Sequence, residues 1–144
     1  MKHVTCGILI FNEKKELLVC HVTGQEHWDI PKGQSDVGEL PLTTAIRETH
    51  EETGLIFSPD QLFDLGEHDY AKKKNIHLFR TVVLKQSIIL DKLTCVSQFV
   101  NLANVPQPEM DGYKWIQIPE IEMHCRNSMR TVLRKILKDE LSEV

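Results

Sequence analysis

The stretch from Pro31 to Leu55, PKGQSDVGELPLTTAIRETHEETGL, constrains the fold more than any other part of this 144-residue chain. Pro41 suits the first turn of a helix, and Gly54 suits the residue just past its end. Together they predict a helix from about Leu40 to Thr53, entered from a glycine-containing loop. Successive helical residues rotate by about 100°, so with Glu48 at zero, Glu52 falls near +40° and Glu51 near −60°. The three carboxylates therefore share one face. Leu42, Ala45, Ile46 and Thr49 cluster between about +60° and +160°, which predicts a separate core face. Clustered acids repel one another and add nothing to a core, so they sit either in water or around something positive. Arg47, four residues before Glu51, can orient one carboxylate, although an exposed pair of this kind contributes only about 0.3–0.5 kcal/mol. A hard divalent cation such as Mg²⁺ prefers oxygen ligands of this sort.

An isolated acid triplet would read as a solvated helix face, but its surroundings reverse that reading. Gly33, Glu39 and the run Arg47-Glu48-Thr49-His50-Glu51-Glu52-Thr53-Gly54-Leu55 follow the spacing G-x5-E-x7-R-E-U-x-E-E-x-G-U, and in this the chain resembles the Nudix hydrolases. All seven fixed Gly, Glu and Arg positions match over 23 residues; of the two bulky apolar positions, Leu55 fits and Thr49 departs. The resemblance implies an α/β fold, an α/β/α sandwich with a mixed sheet, formed by a single domain over residues 1–144. It also implies Mg²⁺-dependent hydrolysis, with Mn²⁺ as the alternative ion, of a nucleoside diphosphate linked to another moiety. By the same resemblance Glu48 and Glu52 bind the metal, and Glu51 is a third acid that shares the metal or acts on water. Arg47 and Glu39 orient the cluster, and the Gly33 carbonyl joins the metal shell. The general base is either Glu51 or Glu109, the latter in the loop PEMDGYKW.

Outside the box, the W-x-x-P-K-G approach at Trp28 to Gly33 and a tyrosine 16 residues past Gly54 are similar to diadenosine tetraphosphate hydrolases. That similarity implies that Tyr70 stacks on or near the nucleotide and that Lys72, Lys73 and Lys74 reach a phosphate chain as mobile charges. A lysine-rich turn that keeps an edge soluble is the competing reading. Lys32, on the loop entering the helix, is a phosphate contact on either view. Trp28 either stacks on a base or packs in the core. Competing substrates are a nucleoside triphosphate, an RNA 5′ end, and a nucleotide sugar or ADP-ribose. A domain that binds nucleotide without cleaving it typically lacks box glutamates, and here every one is present. His27, His50 and His77 have no partner at metal-ligand spacing.

The net charge of −4 argues against a stable nucleic-acid partner held by phosphate neutralisation, and leaves a small nucleotide as the expected ligand. Cys6, Cys20, Cys95 and Cys125 form no C-x-x-C pair, which favours buried, reduced thiols. The N-terminus is interrupted by charge too early for a signal peptide or a membrane span, so a cytoplasmic setting is expected. Val4–Phe11 and Leu17–Val22 read as a hairpin across NEKKE, Leu62–Tyr70 and Ile76–Leu84 as a second pair across AKKKN, and Gly112–Ile118 as a further strand. Ser128–Leu141 has the apolar spacing of an amphipathic helix. Residues Ser87 to Pro108 read as a loop with a short helix around Leu90 to Phe99. Oligomeric state and metal count are left open.

Overall fold

The apolar run beginning at Val4 is bounded by polar residues and is too short for a helix of its own. In the computed structural model, which describes residues 3–138, it forms the central strand β1, His3–Asn12, buried on both faces. A turn closed by the Asn12 Oδ1, which accepts from the Lys14 and Glu16 amides, leads to β2, Glu16–Val22. Two short strands follow, β3 (Trp28–Asp29) and β4 (Lys32–Gln34). Then comes the helix α1, Pro41–Thr53, ended by Gly54 in the left-handed conformation that a residue with a Cβ adopts only at a cost. The hairpin β5 (Phe63–Ala71) and β6 (Lys74–Val83) turns on Lys72 and Lys73, and β6 runs parallel to β1.

The predicted helix around Leu90–Phe99 does not form. Residues Lys85–Ser87 and Leu90–Lys92 make single 3-10 turns, and β7 (Gln98–Val100) pairs with β8 (Pro106–Pro108) as a detached hairpin. Thr94, Val96 and Val100 are β-branched, and this preference outweighs the loose apolar spacing that suggested a helix. β9, Met110–Gln117, returns to the main sheet beside β2. A short helix α2 (Ile121–His124), which the sequence reading did not anticipate, precedes α3 (Asn127–Ile136). The helix ends at Ile136, with Leu137 as its C-cap, short of the predicted end at Leu141; residues 139–141 lie outside the described residues.

The main sheet runs β3-β2-β1-β6-β5, with β4 added to β1 and β9 to β2, and it mixes parallel and antiparallel pairs. Alternating side chains divide the core. Leu9, Phe11, Leu17 and Val19 face Met129, Val132 and Leu133 of α3, whereas Ile8, Ile10 and Leu18 face Ala45 of α1. The sheet thus separates helices on its two faces, the α/β/α arrangement anticipated from the box. Cys6, Cys20 and Cys125 are buried free thiols, and burial pushes each of them above the usual thiol range. Among the described residues no helix is long and apolar enough to cross a membrane.

Candidate active site

β1 gives one edge to two partners. Near its end Phe11 pairs with Leu17 of β2, but earlier Thr5, Cys6 and Gly7 pair with Gln34, Gly33 and Lys32 of β4. β2 swings away to pair with β3 and β9. A cleft of about 700 Å³ opens in this fork, lined by Thr5, Asp29, Lys32, Gly33, Glu52 and Glu109 among others.

α1 lies across the fork, and its orientation differs from the sequence reading. The buried residues are Thr44, Ala45, Thr49, Glu52 and Thr53, while Leu42 and Ile46 are only half-buried. With Glu48 at zero, this face spans about −40° to +140° and places Glu52 close to its middle. The acid face and the core face, expected to be separate, therefore overlap. The reason lies in β4. A Cβ on Gly33 would stand 2.0 Å from the Glu48 carboxyl carbon, so only a glycine allows that carboxylate to rest against the strand backbone. Glu52, 2% exposed, accepts a hydrogen bond from the Lys32 amide at 3.0 Å. Burial drives its pKa up to about 9; the Lys32 amide and ammonium pull the other way, and the nearby charges of Glu48 and Glu109 reinforce the rise. Burial also raises Glu48, against the opposing pull of Arg47.

Arg47 organises the outer side of the cluster. Its Nε and Nη2 donate to the two oxygens of Glu39 at 2.8 and 2.9 Å, a fork-to-fork pairing. Its Nη1 donates to Glu48 Oε1 at 2.8 Å and to both oxygens of Glu51 at 3.3 Å. Glu39 also accepts from Thr44 Oγ1 at 2.7 Å and from the Asp36 amide at 3.0 Å. The Arg47 hydrogen bonds, followed by the Asp36 amide, hold Glu39 down at about 2. Arg47 itself is held above the usual guanidinium range, chiefly by Glu39.

Carboxylates at Glu48 and Glu52, the bare Gly33 backbone and the neighbouring Glu51 form an oxygen-rich donor set that suits a hard divalent cation. Each carboxylate is here engaged by a protein N–H. Among the described residues no three Asp, Glu, His or Cys side chains converge as a ready metal cluster. Arg47 Nη1, shared by Glu48 and Glu51, links those two carboxylates, whereas Glu52 is held from the other side by the Lys32 amide.

Of the expected substrate contacts, Lys32 and Lys74 line the cleft, along with His27 and Arg126. Lys32 Nζ pairs with Asp29 Oδ2 at 2.8 Å; burial disfavours its charge, but Asp29, with Tyr70 and Glu52, more than restores it, so the net shift is upward. Lys72 and Lys73 are exposed on the β5–β6 turn and are not among the residues that line the cleft. Tyr70 is likewise not among the lining residues. It is half-buried against the core on the α3 side, near enough to Lys32 to feel its charge. Trp28 packs on that same core, with Lys114 Nζ 4.3 Å from its ring centroid and His21 edge-on to it. His50 is exposed, and His77 Nε2 lies 2.7 Å from Asp64 Oδ1.

Sequence reasoning missed what holds the far end of α1. A helix ends with four carbonyls lacking intrahelical partners. Here His50 O accepts from the Gly54 amide at 2.9 Å, Glu51 O from Val96 at 2.7 Å and Thr53 O from Thr94 at 3.1 Å. Glu52 O accepts from the Tyr113 hydroxyl at 2.6 Å. The same segment continues to Glu109, whose amide donates to Ser97 O at 3.0 Å. Residues 94–97 therefore bridge the helix carrying Glu51 and Glu52 to the loop carrying Glu109. Backbone donors leave no mark in a side-chain pattern; only Tyr113, an aromatic with a polar tip, offered a signal.

Comparison with known proteins settles the family: the model of the Nudix domain matches residues 1–138. The chain belongs to the Nudix family. It is 30% identical over 139 residues to an RNA pyrophosphohydrolase of Pseudoalteromonas translucida, covering 92% of this chain and 81% of that one. It is 36% identical over 125 residues to an uncharacterized 17.7 kDa protein of Enterobacteria phage T4, covering 81% and 83%. Among solved structures, a C. elegans Ap4A hydrolase binary complex matches with a TM-score of 0.65 at 21% identity, over 99% of both chains. The MutT protein of Methanosarcina mazei matches with a TM-score of 0.66 at 18% identity, over 96% and 95%. These two likenesses bear on the fold. The Nudix chain described here is a hydrolase acting on acid anhydrides, within a family that uses Mg²⁺ or Mn²⁺ and takes nucleotide substrates.

Proposed function

We propose that this chain hydrolyses a phosphoanhydride bond in a dinucleoside polyphosphate of the diadenosine tetraphosphate kind, with Glu48, Glu52 and the Gly33 carbonyl as the seat of Mg²⁺ and Glu51 beside them. The observation that carries the reading is that Gly33, Glu52 and Glu109, distant in sequence, line one cleft together with the charged Lys32. A divalent cation bound there would neutralise phosphate oxygens and lower the pKa of a water molecule. Lys32, steadied by Asp29, presents a fixed positive charge to the phosphate chain, and Lys74 a mobile one at the rim. Arg47 keeps Glu48 oriented and is in turn braced by Glu39.

For the base, the geometry favours Glu109 over Glu51. Glu109 lines the cleft, and its charge bears on both Glu48 and Glu52. Glu51, like Glu48, is not among the lining residues, and both of its oxygens are held by Arg47. Replacing Glu109 by Gln should lower kcat by about 10²–10⁴-fold with KM little changed. An unchanged kcat would return the role to Glu51.

A second reading, pyrophosphohydrolysis at an RNA 5′ end, is favoured by sequence relatives of that name at 27–30% identity over 92% of the chain. A panel containing diadenosine tetraphosphate, nucleoside triphosphates and 5′-triphosphorylated RNA, with products analysed in ¹⁸O-labelled water, separates the two. Preference for the RNA would displace the dinucleotide. Turnover of none of them, with Mg²⁺ or Mn²⁺ supplied, would leave the nucleotide-binding reading.

A further inference from the structure

We propose that Phe99 and the apolar hollow behind it seat the nucleobase of the substrate, a site that rests on the nucleotide-hydrolase reading above. The β7–β8 hairpin exposes Val100, Leu102 and Val105, none of which contributes to either core cluster. Exposed apolar surface of this kind is uncommon without a function. Its hollow, about 610 Å³ and mainly apolar, is continuous with the catalytic cleft: Phe99, Thr23 and Gln25 line both.

The two hollows differ in the way that the two halves of a nucleotide differ. The cleft offers carboxylates and the ammonium of Lys32, which suit phosphates and their cation. A base needs an aromatic or apolar face for its ring and amide-like groups for its edge. Phe99, 37% exposed, supplies the ring face at the boundary, and Gln25 and Gln107, which each offer donors and an acceptor, border the hollow. The hairpin is also preformed. Asn101 Oδ1 accepts from the Ala103 and Val105 amides at 2.9 and 3.0 Å, and Asn101 N donates to Val105 O at 3.0 Å. Because the Glu109 amide donates to Ser97 O, immediately before β7, the seat is tied to the proposed base. A base on Phe99 would place its phosphates toward Glu52 and Glu109.

A Phe99→Trp variant tests this without turnover. In the presence of chelator, adenosine monophosphate should quench its fluorescence beyond the background of Trp28 and Trp115 in wild type, and ribose 5-phosphate should not. In parallel, Phe99→Ala should raise KM for the preferred nucleotide at least about fivefold with kcat within about twofold. Active enzyme with no base-dependent quench and an unchanged KM would overturn the seat and leave the hydrolase reading standing. Quenching in a protein that cleaves no nucleotide would keep the seat and overturn the hydrolase reading. A concentration-dependent dimer that Phe99→Ala dissolves would assign the hollow to a second copy of the chain and overturn the proposal.

Discussion

Residues 31–55 and residues 84–109 both contribute to the cleft, and their chemistry is written in different ways. In the first region side chains act: Arg47 spans Glu39, Glu48 and Glu51, and Gly33 makes room for a carboxylate. In the second region the main chain acts: the Val96 and Thr94 amides cap α1, and Ser97 O holds the Glu109 amide. The first region defines which atoms are present, and the second fixes where the last turn of the helix points. A site built on rigid supports of this kind depends on both.

The largest expected effect falls in the first region. Glu52→Gln should reduce turnover by a thousandfold or more while the far-UV spectrum stays native, because it deletes a proposed ligand charge at nearly constant volume. Wild-type-like activity with Mg²⁺ present would remove Glu52 from the metal's seat. The same variant has a stability signature in chelated protein. The Glu52 pKa is about 9 when folded against 4.5 as its ordinary value, so its stabilising contribution is complete below about 4.5 and is lost as pH rises toward about 9. Denaturant unfolding between those limits should therefore show wild type losing several kcal/mol relative to Glu52→Gln.

The second region is probed by Tyr113→Phe, which removes only the donor to Glu52 O. It should lower kcat about tenfold and leave KM within about twofold, with a stability loss of about 1 kcal/mol. If kcat is unchanged, the bridge is scaffolding alone and the contrast between the two regions weakens. A smaller effect returns to the box. Glu39 is held at about 2, below its ordinary 4.5, so its contribution is complete above about 4.5 and is lost as pH falls toward about 2. Glu39→Gln should consequently flatten the acid side of the stability profile.

The smallest effect concerns Thr49, where the box departs from its apolar pattern. Thr49 is fully buried, and among the described residues its hydroxyl has no hydrogen-bond partner. Thr49→Val keeps the shape and removes the orphan, so thermal unfolding should show a gain of about 1 kcal/mol with activity unchanged. A loss instead would mean that the hydroxyl is satisfied in solution.

This contrast also explains what the sequence revealed. The helix bounds were legible because Pro41 and Gly54 have single, local meanings at helix ends, and the strands because their apolar runs end in charged turns. The rotation of α1 was not legible. Periodicity placed Leu42 and Ile46 inward, but β4 receives Glu48 on Gly33 and Glu52 on the Lys32 amide, which helical spacing alone does not report. Tyr70 and Lys72 stand at expected distances along the chain and yet do not line the cleft. Spacing beyond one element does not fix position in space. The bridge through residues 94–97 was invisible because any residue but proline carries the amide it uses.

The divided edge of β1 has a consequence for folding. Side chains alternate along this strand, so a slip of one residue would turn Ile8 and Ile10 toward the opposite layer and in the same movement carry Gly33 out from under Glu48. Misassembly at this seam and an incompetent site would be the same error, and the chain thereby acquires a built-in check that only correctly registered molecules present a finished cleft.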